Sequence, residues 1–218
     1  MSKRRAAAAP RRRTQKERRE ATIEKLVGAT IASLLAVGYT RTTVKEICRR
    51  AGVSHGALFR FFPSVLDVVL AAGEEVARRQ IAEFEARFAR SGAGRDADPF
   101  ATALALLRAA CRSGTNTVFY ELLVAARTDP ALRRALRPSM RRYYDAIRRT
   151  AFAVPGADAF PPELLELLLF TAVHTFDGES LARVVLPQRA VEERRLALLV
   201  GLLQSFRAAA GDGAAARG

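Results

Sequence analysis

TTVKEICRRAGVSHGALFRFF, residues 42–62, reads as two short helices joined by a tight turn. Thr43 stands three residues before Glu46, the spacing of a capping box, in which the hydroxyl accepts from the third amide while the carboxylate reaches back. A helix therefore starts at about Thr43. Ile47, Cys48 and Ala51 give it an apolar face. Gly52 follows its last turn, where a residue without a Cβ adopts positive φ at little cost. Val53 plugs the corner, and Ser54 is a good N-cap for a second helix whose buried side is Leu58 with Phe61 or Phe62. Two such helices with a turn of about three or four residues between them have the spacing of a DNA-binding helix-turn-helix, whose second helix enters the major groove. An ordinary helical hairpin in a core satisfies the same capping and periodicity, so the flanks have to decide.

Charge separates the two ends of the chain. Residues 1–62 hold 15 of the 36 Lys/Arg against 4 of the 22 Asp/Glu, a net of +11 out of +14 for the whole chain. Concentrated positive charge is rewarded by a polyanion through release of its counterions. A basic face on anionic lipid is the competing reading, but no amphipathic anchor or acylation signal accompanies it. The cysteines, Cys48 and Cys111, are too few for a disulfide framework or a metal site, and burial as inert packing is the expectation for Cys48. No uninterrupted apolar run of about 18 residues and no signal peptide are legible, so the cytoplasm is the expected compartment.

Ala, Leu and Arg dominate, strand-like alternation is absent, and the expected fold is all-α. Residues 1–15 read as a disordered basic tail, either a solubilising segment or an arm that adds phosphate or minor-groove contacts. Residues 16–64 form a helix-turn-helix unit, with a first helix from about Lys16 to Val37 stopped by Gly38. Residues 65–210 form a helical body: helices at about 65–90, 100–112, 115–128, 130–152, 162–186 and 189–210, with loops at 91–99 and 153–162. Residues 211–218 should fray.

The flanks GYTRTTVKEICRRAGVS and HGALFRFFPSVLDVV resemble the N-terminal domain of TetR/AcrR-type transcriptional regulators. The shared pattern is a Gly-aromatic corner, a Thr-Thr-Val helix start, Arg-Ala-Gly-Val-Ser across the turn and Pro-Ser after an aromatic run. The resemblance covers roughly residues 19–73 and implies an N-terminal three-helix DNA-binding domain on a C-terminal ligand-binding and dimerisation domain. It also implies that the last two helices pair with a second copy, making a homodimer that reads a palindromic operator on double-stranded DNA as a ligand-responsive repressor. An apolar stretch at Leu164 to Phe170 and a stripe of Leu196, Leu199, Val200, Leu203 and Phe206 are the residues such pairing would bury.

By the same resemblance, His55, Gly56 and Ala57 lie where bases are approached, and Phe59 and Arg60 stand in place of two tyrosines. Ser54, which caps that helix, belongs with these DNA-binding candidates; Thr42, Thr43 and Lys45 at the preceding helix start suit phosphates. Departures from the pattern are Phe59, which lacks a phenol hydroxyl, Phe61 where His is common, and Val65 where a phosphate-binding Lys is common. Arg60 offers a charged replacement for the contact that Phe59 loses. For a small effector in the body the candidates are Phe119, Tyr120, Tyr143, Tyr144, Phe170, His174, Phe176 and Asp177, with His174 and Asp177 three apart on one helix.

Alternatives from other classes are an architectural DNA-binding protein without sequence choice, and a small-molecule-binding protein whose head no longer reads DNA. With His55 and His174 far apart and no triad order, phosphate-cradling glycine loop or metal spacing, neither an enzyme nor a cofactor is expected.

Overall fold

The structure is a computed structural model describing residues 14–93 and 98–215, with residues 209–215 described by backbone alone. The basic tail expected at residues 1–15 falls outside this range up to residue 13. Nine α-helices follow one another among the described residues: α1 Gln15–Arg41, α2 Val44–Ala51, α3 His55–Phe59, α4 Val65–Arg90, α5 Pro99–Cys111, α6 Thr117–Ala126, α7 Pro130–Phe152, α8 Pro162–Ala182 and α9 Arg189–Ala215.

α1 opens on a full capping box between Thr14 and Glu17 and breaks at Gly38 (φ 75°, ψ 176°), after which one more turn leads into α2. The glycine stop is where sequence placed it, because only a residue without Cβ takes that φ without strain. At α2 the expected capping box is only half formed, and this corrects the sequence reading. Thr43 accepts from the Glu46 amide at 3.3 Å, but the Glu46 carboxylate turns outward to Arg49 and Arg50, at 2.9 and 2.5 Å. Two guanidinium groups at i+3 and i+4 outcompete one backbone amide for the same oxygens. Gly52 ends α2 in the left-handed region (φ 65°, ψ 38°), and Ser54 caps α3 by accepting from the Ala57 amide.

A small core holds the head together: Leu26 and Ala29 of α1, Ile47 and Cys48 of α2, Leu58 of α3 and Val68 of α4. Leu58 is fully buried and is the one deeply inserted side chain that α3 contributes. Truncating it to Ala costs about 2–5 kcal/mol and would unseat the helix. Phe62 and Val65 pack on this core, and Phe61 packs beside them under the Arg19 guanidinium, 5.8 Å from its ring centre. The departures at Phe61 and Val65 are therefore packing residues.

Val27, Ile31 and Leu34, further along α1, join Val69, Ala72 and Val76 of α4 with residues of α6 and α7 in a second core. Head and body are thus joined through α1 and α4, each of which supplies side chains to both cores. Of the described helices α1 is long and apolar enough to cross a membrane by length and composition. Its apolar residues instead supply both cores, and Glu24 and Lys25 stand exposed on its other side. A third core, with Phe100, Phe160, Leu165 and Phe176, joins α5, α8 and α9.

α8 stops at Ala182, short of the expected Leu186, with Val184, Val185 and Leu186 in the exposed link to α9. Pro187 explains the early end, since a proline disfavours helix in the residue before it and removes a donor. The fraying expected at residues 211–218 does not occur as far as Ala215, to which α9 carries on through the alanines at 208–210 and 214–215; residues 216–218 lie outside the described residues.

Candidate nucleic-acid interface and body cavity

α3 turns one side to solvent. Ser54, His55, Gly56, Phe59 and Arg60 are exposed, Ala57 is half-buried, and Phe59 keeps 48% of its surface although it is a large apolar residue. Arg60 and Lys45 enter no ion pair among the described residues, whereas Arg49 and Arg50 are tied to Glu46. The Arg49 hydrogen bonds, followed by those of Arg50, hold the Glu46 carboxyl at about 2, so this clamp persists at any ordinary pH. Free positive charge on the motif thus comes from Lys45 and Arg60, one at each end of the helix pair.

Thr42 is not part of this surface. It is 6% exposed, and its hydroxyl donates to the Gly38 carbonyl at 2.8 Å while lying 3.0 Å from the Ser33 hydroxyl. The role assigned to it from sequence is therefore corrected: Thr42 locks the α1–α2 corner, because a chain reversal after Gly38 leaves a carbonyl that needs a donor. Thr43 is exposed, and its hydroxyl hydrogen remains available.

The body holds a cavity of about 120 Å³ bounded mainly by α4 to α8. Aromatic and aliphatic side chains wall it, among them Phe84, Phe119, Tyr143, Tyr144, Ile147 and Leu168. Phe119 and Tyr143 stack with ring centres 4.7 Å apart. A short polar chain crosses one side. Tyr143 donates to Gln80 Oε1 at 2.6 Å, Gln80 Nε2 to Asn116 Oδ1 at 2.9 Å, and Asn116 Nδ2 to Asp177 Oδ1 at 3.3 Å. Tyr120 also donates to Asp177 Oδ1, at 2.8 Å. Burial, and then the charge of Asp177, pushes the Tyr120 phenol far above its ordinary range, and burial does the same to Tyr143 and to the Cys111 thiol. All three are neutral donors here.

Five of the eight effector candidates, Phe119, Tyr120, Tyr143, Tyr144 and Asp177, line this cavity, and three do not. Phe176 is fully buried in the core of α5, α8 and α9. Phe170 packs its ring on Tyr144 at 5.1 Å. His174 is exposed, 6.4 Å from the Tyr144 ring, so it forms no pair with Asp177. Three helical positions leave residues about 60° apart around the axis, enough to turn one to the cavity and the other to solvent. Gln80 and Asn116 escaped the sequence reading. Gln80 does carry a signal, because it falls four residues after Val76 in the buried stripe of α4, where a polar side chain needs a partner. Asn116 sits in a short 3-10 turn and shows none.

Two residues beyond Asp177 the same helix carries a very different carboxylate. Glu179 receives Arg108 at 2.9 Å, Arg112 at 2.6 Å and Arg195 at 2.6 Å. Burial alone would push its carboxyl up, but the hydrogen bonds from these three arginines outweigh it and hold the group below its ordinary range.

An exposed second helix, capped by a serine and seated by one buried leucine beside a two-helix corner, defines a helix-turn-helix DNA-binding protein, with its cavity in a separate helical body. Residues 26–72 match the bacterial regulatory proteins of the tetR family. An HTH-type transcriptional regulator of Mycobacterium tuberculosis is 42% identical over 191 residues, spanning 88% of this chain and 97% of that protein. The HTH-type transcriptional regulator CymR of Pseudomonas putida is 31% identical over 133 residues, 61% of this chain and 64% of that protein. In fold, the multidrug binding protein EbrR, complexed with imidazole, superposes with a TM-score of 0.62 at 20% identity, covering 83% of this chain and 93% of that one. The chain belongs to the tetR family of bacterial transcriptional regulators.

Proposed function

We propose that the protein represses transcription by occupying a palindromic operator as a two-fold dimer, and that a small molecule in the body cavity releases it. The observation that carries the dimer is an apolar surface on the last two helices. Leu167 and Leu181 of α8 are 65% and 48% exposed, and Leu198, Leu202 and Phe206 of α9 are 62%, 41% and 40% exposed. On α9 these three recur every four residues, as on a helix face that packs against another. Leu196, Leu199, Val200 and Leu203, part of the stripe noted in sequence, pack on the protein's own core instead. A single head offers few base-reading side chains, and a dimer doubles them on half-sites about one helical turn, 34–36 Å, apart or at a longer spacing.

In this reading His55 and the backbone at Gly56 face base edges, Phe59 meets a thymine methyl, and Thr43, Lys45 and Arg60 take phosphates. That EbrR, of the same fold, is a multidrug binding protein supports an effector role for the cavity. Selection of bound duplexes from a random pool, with light scattering on the purified protein, tests the whole. The expected result is an inverted repeat bound by a dimer; an uncorrelated pool or a monomer overturns it.

A further inference from the structure

We infer that the body cavity binds an organic monocation, a protonated amine or quaternary ammonium on an apolar or aromatic frame, with its charge beside Asp177. This rests on reading the cavity as the effector site and names the chemistry that the site selects.

Asp177 is the one lining residue that carries a formal charge in its ordinary state; no Lys, Arg or His lines the cavity. Nor does any cation reach ion-pair distance of Asp177 among the described residues. The groups that reach it are neutral: the Tyr120 hydroxyl and the Asn116 amide, both on Oδ1, and the protonated Cys111 thiol. Arginine is not scarce nearby, since three arginines converge on Glu179 only two positions further along α8. The fold thus sets Glu179 in a shared cluster whose arginines also pair with Glu192 and Glu193, and leaves its neighbour, which faces the cavity, without a counter-charge. A carboxylate out of bulk water is costly unless paired, and a ligand cation supplies the missing partner.

The walls agree with the charge. Phe119, Tyr143 and Tyr144 line the same cavity, and aromatic rings attract a cation through their quadrupoles, quaternary ammonium groups being typical guests of such surroundings. Tyr143 and Asn116, bridged by Gln80, are committed to the chain of hydrogen bonds that ends on Asp177, so the carboxylate is held in place before any ligand arrives. An anionic ligand would meet Asp177 with no basic residue to offset the repulsion.

The experiment is calorimetric titration of the full chain with four probes that share one ring: benzyltrimethylammonium, 2-phenylethylamine, benzyl alcohol and phenylacetate. At neutral pH one or both cations bind and phenylacetate does not. Binding of only one cation also supports the inference and tells quaternary from hydrogen-bonding headgroups apart. Asp177→Asn weakens the cations about tenfold or more while leaving benzyl alcohol unchanged, and Asp177→Glu restores the preference for cations. Circular dichroism melting checks that the Asn variant folds; Tyr120→Phe, which removes one neutral donor but keeps the charge, retains cation preference and serves if it does not. Phenylacetate binding as tightly as the cations, unchanged cation affinity in Asp177→Asn, or no heat from either cation up to about 10 mM overturns the inference.

Release of a selected DNA duplex is read separately. Cation binding without release leaves this inference standing and removes the regulatory role of the cavity. Release by phenylacetate but not by the cations does the reverse.

Discussion

The carboxylate of Glu121 on α6 accepts the backbone N–H of Tyr39, at 3.1 Å, across the junction between body and head. The same oxygen lies 2.8 Å from where a Cβ on Gly38 would stand, and the Tyr39 phenol donates to Asp129 at 3.2 Å. Glu121 follows Tyr120, whose hydroxyl holds Asp177, so one turn of α6 touches both the cavity and the end of α1. Gly38→Ala meets a positive φ and this carboxylate together and is expected to cost about 1–3 kcal/mol. At about 2–4 °C per kcal/mol for a chain of this size, a thermal melt resolves the loss. Glu121→Ala leaves the fold's cores intact but uncouples the junction. It should keep operator affinity within a few-fold while blunting release by any ligand of the cavity. Unimpaired release in that variant would remove Glu121 from the path.

Charge at the helix-turn-helix is divided between free and clamped groups, and this predicts distinct mutational signatures. Arg60→Ala removes a free guanidinium and should weaken binding on all duplexes, lowering the slope of log affinity against log salt by about 1. His55→Ala should instead change which bases are preferred, with a cost of about 1–3 kcal/mol confined to the best sequence. Titrations on specific and scrambled duplexes at several salt concentrations separate the two. The opposite pattern would exchange their roles.

Glu46 acts against the same potential. Its carboxyl, held at about 2 by Arg49 and then Arg50, neutralises much of the charge on two residues beside the motif. Glu46→Gln releases both guanidinium groups and removes a negative charge. Affinity for scrambled DNA should therefore rise and the salt slope steepen by about 1–2, which the same titrations report. An unchanged slope would mean that the two arginines lie off the duplex.

The head was legible in sequence because its determinants are local. Gly38, Gly52 and Ser54 act within a turn of where they stand, and helix ends follow from them. Local reasoning misjudged Thr42 and Glu46 for the same reason: each had a nearer partner, the Gly38 carbonyl in one case and two arginines in the other. The cavity was half legible. Aromatic residues on α6 and α7 could be named, but the distinction between Asp177 and its helical neighbours depends on Tyr120 and Asn116, 57 and 61 positions away in the chain, and through Asn116 on Gln80. Pairings at that separation leave no periodic trace.

The buried cluster around Glu179 makes stability depend on acid. Its folded carboxyl titrates below the unfolded value, despite burial, because Arg108, Arg112 and Arg195 surround it. A depressed folded value stabilises the native state above the unfolded value, ordinarily 4.5 for this group, and that contribution fades as pH falls through the folded value. Glu179→Gln leaves buried Arg108 short of its main partner and is expected to cost about 3–5 kcal/mol at neutral pH. Denaturant melts at neutral pH and near pH 3 test this. The gap between wild type and variant should narrow at the lower pH, and a gap that is constant with pH would mean that charge is not the cause.

Leu198 offers the sharpest test of the dimer, because it faces away from every core of its own chain. It is 62% exposed while Leu199 and Val200 beside it pack inward, so a charged residue there should leave the isolated fold untouched. Burying an unpaired lysine in an apolar interface costs several kcal/mol, enough to dissociate a dimer at micromolar concentration. Leu198→Lys is therefore expected to give a folded monomer by circular dichroism and light scattering, with affinity for an inverted repeat lowered at least about a hundredfold and affinity for scrambled DNA little changed. Leu199→Lys should instead unfold the part of the body built from α5, α8 and α9, since it enters the core shared with Phe100 and Phe176. A Leu198→Lys variant that stays dimeric would place the subunit contact elsewhere.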